Sequence, residues 1–175
     1  MNNPSSISEE QLVESIKSSQ VEAFKTLYYR YYNDLYRFFW LRINSKDSAK
    51  DLIHDVFIRI WENRHNLDGK KSIKAYIYRI ANNLLIDSFR KKSTQRTYIA
   101  EDASVTDVST EESLEQVTAV KLAINNLPEK IRSVFILSRY QGLKYAEIAQ
   151  ALNISIKTVE SRICKAFRLL REDLS

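Results

Sequence analysis

The chain has 175 residues, enough for one or two small domains, with 44% hydrophobic residues and a formal net charge of +5 at pH 7 that favours anionic partners. Two glycines and two prolines leave few interruptions to helix, so an all-α fold is expected and a Gly-rich phosphate loop is excluded. One cysteine excludes an internal disulfide, and His54 and His65 stand apart without Cys-x-x-Cys or His-Glu-x-x-His spacing, so no metal or other cofactor is expected.

Residues 8–18 and 21–42 read as helices, the second with Phe24, Leu27, Tyr28, Tyr31, Leu35 and Phe38 at intervals of three and four facing a core. Asn44, Ser45 and Lys46 form a polar break, after which Asp47 can cap a helix running to about Arg64. That helix turns Ala49, Leu52, Ile53, Val56, Phe57 and Ile60 inward. On its far face Asp51, His54, Asp55, Ile58 and Glu62 align. The pattern suits a protein partner, and a solvated face with one stray isoleucine explains it equally well.

After a loop through Leu67–Lys71, a long helix is expected from about Ser72 to Arg90, burying Ile73, Ile77, Ile80, Ala81, Leu84 and Leu85 and ending in Arg90, Lys91 and Lys92. Loop and helix together place Lys70, Lys71, Lys74, Arg79, Asn82 and Asn83 near Tyr76 and Tyr78. Cations attract phosphate, and aromatic faces stack on unpaired bases at roughly 1–3 kcal/mol each, which suits single-stranded nucleic acid. Tyrosines at helical spacing also pack simply as core, and the residues alone leave both readings open.

From Ser93 to about Glu112 the chain is rich in Ser, Thr, Asp and Glu without sustained periodicity, and a flexible linker is expected. Residues 1–92 carry 16 Lys and Arg against 11 Asp and Glu, residues 93–116 one against six, and residues 117–175 ten against five. Two basic blocks thus flank an acidic joint. A helix from about Leu114 to Asn126 follows, then one with Pro128 in its first turn and Ile131, Val134, Phe135 and Leu137 inward, ended by Gly142. There is neither a secretory signal nor an apolar run long enough to cross a bilayer, so no membrane insertion and a cytoplasmic location are expected.

Residues 143–170 read as two helices around a tight turn. Ile148, Ala149 and Leu152 give the first an apolar stripe; Asn153 tolerates positive φ, and Ser155 can cap the second. Val159, Ile163, Ala166, Phe167 and Leu170 dock that second helix. Its opposite face carries Lys157, Thr158, Glu160, Ser161, Arg162, Cys164, Lys165 and Arg168, cations and short polar groups of the kind that touch phosphates and base edges in a major groove. An ordinary helical hairpin with a charged face is the alternative, because helix-turn-helix patterns are short and degenerate.

Four segments taken together resemble the bacterial sigma-70 family, and within it the small extracytoplasmic-function (ECF) sigma factors. They are Ala49-Lys50-Asp51-Leu52-Ile53-His54-Asp55-Val56-Phe57, the run Ala75 to Asn83, Leu127-Pro128-Glu129-Lys130-Ile131-Arg132, and Glu147-Ile148-Ala149 through Thr158-Val159-Glu160-Ser161-Arg162. The resemblance covers about residues 21–92 and 117–172. It implies two small helical domains, a region 2-like domain at 8–92 and a region 4-like helix-turn-helix domain at 114–175, joined by the acidic linker at 93–113. It further implies core RNA polymerase, promoter DNA and an anti-sigma factor as partners, with no small-molecule substrate and no enzymatic activity.

Carried over residue by residue, the resemblance assigns Asp51, His54, Asp55 and Ile58 to core polymerase. Lys74, Tyr76, Arg79, Asn82 and Asn83 fall to the melted −10 element, Asn83 above all. Lys157, Thr158, Glu160, Ser161, Arg162, Cys164, Lys165 and Arg168 fall to the −35 element. The chain departs from the family in carrying His54 where Gln is usual, and Lys165 where Arg is frequent. Lys offers a point charge rather than the bidentate grip of Arg on guanine, so base preference does not transfer.

Two other classes compete. A transcription regulator that binds DNA as a dimer would share the helix-turn-helix, but the N-terminal block lacks a receiver-type βα alternation. A nuclease using Asp51 and Asp55 is the remoter alternative, since two carboxylates four apart on a helix are ordinary.

Overall fold

The computed structural model describes residues 8–43, 45–96 and 121–173. Among these every regular element is helical: α1 Glu9–Lys17, α2 Val21–Trp40, α3 Lys46–Glu62, a 3₁₀ turn at Arg64–Asn66, α4 Ile73–Arg96, α5 at 121–126, α6 Glu129–Arg139, α7 Tyr145–Leu152 and α8 Ile156–Asp173. No strand occurs among the described residues, as the composition implies.

The helix ends follow local chemistry. Ser8 and Gln11 form a reciprocal capping box at the start of α1. The cap of α3 is Ser45, whose Oγ accepts from the Ser48 amide at 3.2 Å, and not Asp47, which already lies within the first turn. Ser45 has the extended backbone a cap requires, and Asp47 still complements the helix dipole there. Helix α4 continues to Arg96, so the first residues expected in the linker are helical, and the remainder of that linker lies outside the described residues. Gly142, with φ +63°, makes the turn after α6.

Helix α1 packs on α2, and α3 packs on both α2 and α4; α6, α7 and α8 form a second group, which α7 joins to the first through α4. The apolar core runs unbroken across both groups, from Leu12, Leu35, Phe38 and Ile53 through Ile77 and Leu85 to Val134, Ile148 and Val159. Each fully buried Leu, Ile or Phe contributes about 1.5–3 kcal/mol relative to exposure. The solvent-screened Lys17–Glu14 and Lys25–Glu22 pairs contribute little beside this, so the apolar seam decides the fold. All six residues expected to face inward on α4 are buried.

Two tyrosines in this core are held well above the ordinary tyrosine range, chiefly by burial. Tyr31 donates its hydroxyl to Glu9 at 3.3 Å and is 4% exposed; Tyr78 is fully buried. Because the folded state keeps these protons while the unfolded state releases them near pH ~10, their stabilising contribution is complete below that pH and is lost as the pH rises through it. The urea midpoint is therefore expected to be flat from pH 8 to 9 and to fall above about pH 10, with Tyr78→Phe showing a shallower fall. An equally steep fall in that variant would remove Tyr78 as a cause.

Candidate nucleic-acid and partner interfaces

Three polar surfaces stand out on the helical frame. On α3, burial of Ala49, Ile53, Val56, Phe57 and Ile60 forces the opposite face outward. Asp51, His54, Asp55 and Ile58 are all exposed there, Ile58 to 40%, and their spacing of three and four residues sets them in one stripe. Neither Asp51 nor Asp55 joins an ion pair among the described residues, which leaves both carboxylates available to a partner. Nor do they belong to any metal-holding group of three His, Cys, Asp or Glu among those residues.

The second surface lies at the start of α4. Ser72 caps the helix by accepting from the Ala75 amide at 3.1 Å. Lys74 and Tyr76 are half-buried, and Arg79 is exposed with its guanidinium 5.1 Å from the Tyr76 ring centre. That arrangement offers a cation and a flat aromatic side by side, suited to a phosphate and its base. Beside them opens a cavity of about 610 Å³, whose walls include Asp68, Lys71, Tyr76 and Arg79 from the first group of helices and Gln150 and Asn153 from α7 and its turn.

The two neighbouring asparagines part company. Asn83 is exposed, whereas Asn82 is 7% exposed and faces α6, where Ser133 Oγ lies 3.3 Å from its Oδ1. Successive helical residues point about 100° apart, so only one can share the outward face with Arg79. Tyr78 likewise turns inward, stacking edge-on against Phe38 at 5.4 Å and donating its hydroxyl to Gln141 at 2.7 Å.

The third surface is α8. Asn153 adopts φ 52° to close α7, and Ser155 Oγ accepts from the Thr158 amide at 3.1 Å to start α8, as expected for the tight turn. Val159, Ile163 and Ala166 are buried, and Lys157, Glu160, Ser161, Cys164, Lys165 and Arg168 project into solvent on the other side. Thr158 and Arg162 are half-buried at its margin. Phe167, expected to dock the helix, is 42% exposed, covered on one side by Phe135 and by the Arg139 guanidinium 4.8 Å from its ring centre.

Between the two groups of helices lies a polar cluster for which the sequence offers no cue. Arg42, its side chain fully buried, donates from Nη2 to Glu129 and to Ser133 Oγ at 3.1 Å. Burial lowers the Arg42 pKa to about 10, against the pull of the Glu129 carboxylate, which favours the cation. Ser72 donates to Glu147 at 2.7 Å, and Lys121 Nζ sits 3.8 Å above the Trp40 ring. The partners are 87 residues apart in Arg42–Glu129 and 75 in Ser72–Glu147, beyond the reach of any local pattern.

Known proteins share this chain's sequence pattern and its fold. Residues 27–95 match the family pattern described as Sigma-70 region 2, and residues 118–170 that described as Sigma-70, region 4. The ECF RNA polymerase sigma factor SigX of Bacillus subtilis is 34% identical over 87% of this chain and 88% of its own length. SigW of the same organism is 30% identical over 93% and 94%. Among solved structures, CnrH in complex with the cytosolic domain of CnrY shares the fold with a TM-score of 0.76, at 22% identity over 95% of this chain and 96% of that one. The sigma factor RpoE in complex with the anti-sigma factor NepR, from Bartonella quintana, follows at 0.74 and 23% over 86% and 96%. With both regions in order and relatives spanning nearly the whole length, the chain belongs to the sigma-70 family and is an ECF-type sigma factor that directs promoter-specific transcription initiation by RNA polymerase.

Proposed function

We propose that the three surfaces divide the work of promoter recognition. The α3 stripe of Asp51, His54, Asp55 and Ile58 holds core polymerase. Helix α8 enters the major groove of the −35 element with Ser161, Cys164 and Lys165 at base edges, while Lys157, Thr158, Glu160, Arg162 and Arg168 lie against the backbone or flank the readers. Lys74, Tyr76, Arg79 and Asn83 take the unpaired −10 strand, with Asn82 available to it only when α6 moves away. The chain works as two domains, 8–92 and 114–175, joined through 93–113.

Melting needs no covalent chemistry from this chain. Unstacking a base costs a few kcal/mol, which capture on an aromatic face beside cations offsets at about 1–3 kcal/mol per base. The protein acts in the cytoplasm, where polymerase and promoter meet; no described helix is long and apolar enough to cross a membrane. An anti-sigma factor is the expected antagonist, because two sigma factors of the same fold were solved with one or with a cytosolic partner domain.

The observation that supports this reading most directly is α8 itself, which buries Val159, Ile163 and Ala166 and turns its cations and short polar groups to solvent. Purified protein with core polymerase is expected to give promoter-specific transcripts on genomic templates, and their absence on every template would refute the assignment. In that assay Lys165→Ala is expected to weaken promoters by about 1–3 kcal/mol in a manner that depends on one upstream base pair. Lys91→Ala is expected to weaken all promoters alike and to lower the salt dependence by about one phosphate. Equal effects of Lys165→Ala on every base substitution would remove it as a reader.

A further inference from the structure

We infer that helix α1 is the seat of the turn at residues 68–71, that it fixes where Lys70 and Lys71 meet an unpaired strand, and that Gly69 is the residue that lets the turn sit there. The inference rests on the −10 strand surface proposed above. It adds two phosphate-binding cations to that surface and makes Gly69 and Ser19 its positioning residues.

The turn is tight and anchored at both ends. The Lys70 amide donates to Asp68 Oδ1 at 3.0 Å and the Lys71 amide to the Asp68 carbonyl at 3.0 Å, which folds the chain back on itself. Leu67 before it and Ile73 after it are buried, while Lys70 and Lys71 are exposed. One side of the turn, through Asp68 and Lys71, walls the cavity that Tyr76 and Arg79 also line. Lys71 thus borders the place where an aromatic face and a guanidinium already lie together, with Lys70 next to it. Its Nζ is 3.5 Å from Asp68, an exposed pair weak enough for a phosphate to displace.

The other side of the turn rests on α1. A methyl group placed on Gly69 would lie 3.3 Å from Glu10 Cγ, 3.4 Å from Glu14 Oε1 and 3.5 Å from the Glu10 carbonyl oxygen. Gly69 has no positive φ, unlike Gly142, so space and not backbone freedom calls for a glycine there. A second tether lies earlier in the same loop. Arg64 Nε donates to Ser19 Oγ at 2.9 Å, at the corner between α1 and α2, and Arg64 Nη1 donates to the Trp61 carbonyl at 2.7 Å. The loop therefore runs along α1, held near Ser19 at one end and near Glu10 at the other. Helix α1 is itself fixed in the core, since Leu12, Val13 and Ile16 are buried and Glu9 accepts from Tyr31.

Seating decides what the two lysines can do. Binding groups work when their support holds them within about 0.5 Å of the productive geometry, and a loop needs a rigid neighbour to reach that precision. None of the three surfaces gives α1 a task, and the contact with Gly69 supplies one. The fit also grades by side-chain size. An alanine methyl at 3.3–3.5 Å is accommodated by a small swing of the exposed Glu10 side chain. Valine adds two methyl groups and drives against the Glu10 carbonyl, which belongs to the helix backbone and cannot swing, so the turn moves instead.

The test uses the full chain with core polymerase on a promoter carrying 2-aminopurine in the −10 strand, whose fluorescence rises on unstacking. Gly69→Val is expected to lower the limiting rate of opening about tenfold, while the holoenzyme concentration for half-maximal opening changes less than about twofold. Affinity of the holoenzyme for a single-stranded −10 deoxyoligonucleotide is expected to fall about tenfold as well. Gly69→Ala is expected within about twofold of the wild type, and the pair Gly69→Val, Glu10→Ala, which removes the obstructing Cγ, is expected to recover most of the loss. Ser19→Gly relieves the φ of 60° at that residue and deletes the acceptor of Arg64, so opening is expected to slow about twofold to threefold with no fall in the thermal midpoint. Opening at the wild-type rate in folded Gly69→Val, a loss that Glu10→Ala leaves unrelieved, or a loss shared equally by the limiting rate and the half-maximal concentration would each overturn the seat. If Gly69→Val does not fold, Ser19→Gly decides, and wild-type opening in it overturns the inference. A wild-type holoenzyme that does not bind the oligonucleotide would instead overturn the −10 strand assignment itself.

Discussion

Replacing Asp51 and Asp55 together with lysine is expected to abolish promoter-directed transcription and to weaken binding to core polymerase by about a thousandfold, with the thermal midpoint moved by only a few degrees. The first half follows from charge. Both carboxylates are exposed on α3, in no ion pair among the described residues, one helical turn apart and close to Ile58. In the proposed α3 contact with core polymerase, reversing both would turn two attractions into repulsions at several kcal/mol, and about 4 kcal/mol corresponds to a thousandfold. The second half follows from exposure, because surface substitutions away from caps and core stay within about 0.5 kcal/mol. Asp51→Ala alone should cost less, and His54→Gln, which supplies the usual family residue, should retain binding. Equilibrium binding to fluorescently labelled core, beside circular dichroism melting, separates the effects: retained affinity in the folded double variant would sink the α3 assignment.

The contrast between α3 and the domain seam shows what the chain discloses on reading. On α3 one periodicity fixes two things at once, since the residues that must be buried dictate which are left outside. Helical spacing alone therefore sets Ile58 on the outer face with Asp51, His54 and Asp55. The turn at Asn153 and the cap at Ser155 are equally legible, because φ tolerance and side-chain capping are local properties. Asn82 and Asn83 are not separable in the same way. Both are polar neighbours on α4, and which of them is covered depends on α6, whose position is set by contacts between residues far apart in sequence. Arg42 is the sharpest case. As the cation after an aromatic helix end it looks like an ordinary surface charge, and only Glu129, 87 residues later, makes it a buried one. Spacing does not decide whether Tyr78 stacks on bases or packs in the core, and its full burial against Phe38 puts it in the core.

That burial makes Tyr78 the residue whose truncation should cost most stability. Its ring fills the junction of α2 and α4 against Phe38, and its hydroxyl reaches across the seam to Gln141, so it serves the first domain's core and the interdomain contact together. Tyr78→Ala is expected to destabilise the protein by about 3–5 kcal/mol, as large aromatic truncations in a fully packed site do. Tyr78→Phe retains the ring and removes one buried hydrogen bond, for about 1–2 kcal/mol. The two losses should also differ in kind. With phenylalanine the first domain keeps its core and only the docking of the second weakens, so urea unfolding followed at the two domains separately should begin to split into two transitions. With alanine the first domain itself fails early, and its transition should move to lower urea ahead of the second. Equal losses for the two variants would mean that the hydroxyl, and not the ring, carries the site, and a single coincident transition in both would mean that Tyr78 does not couple the domains.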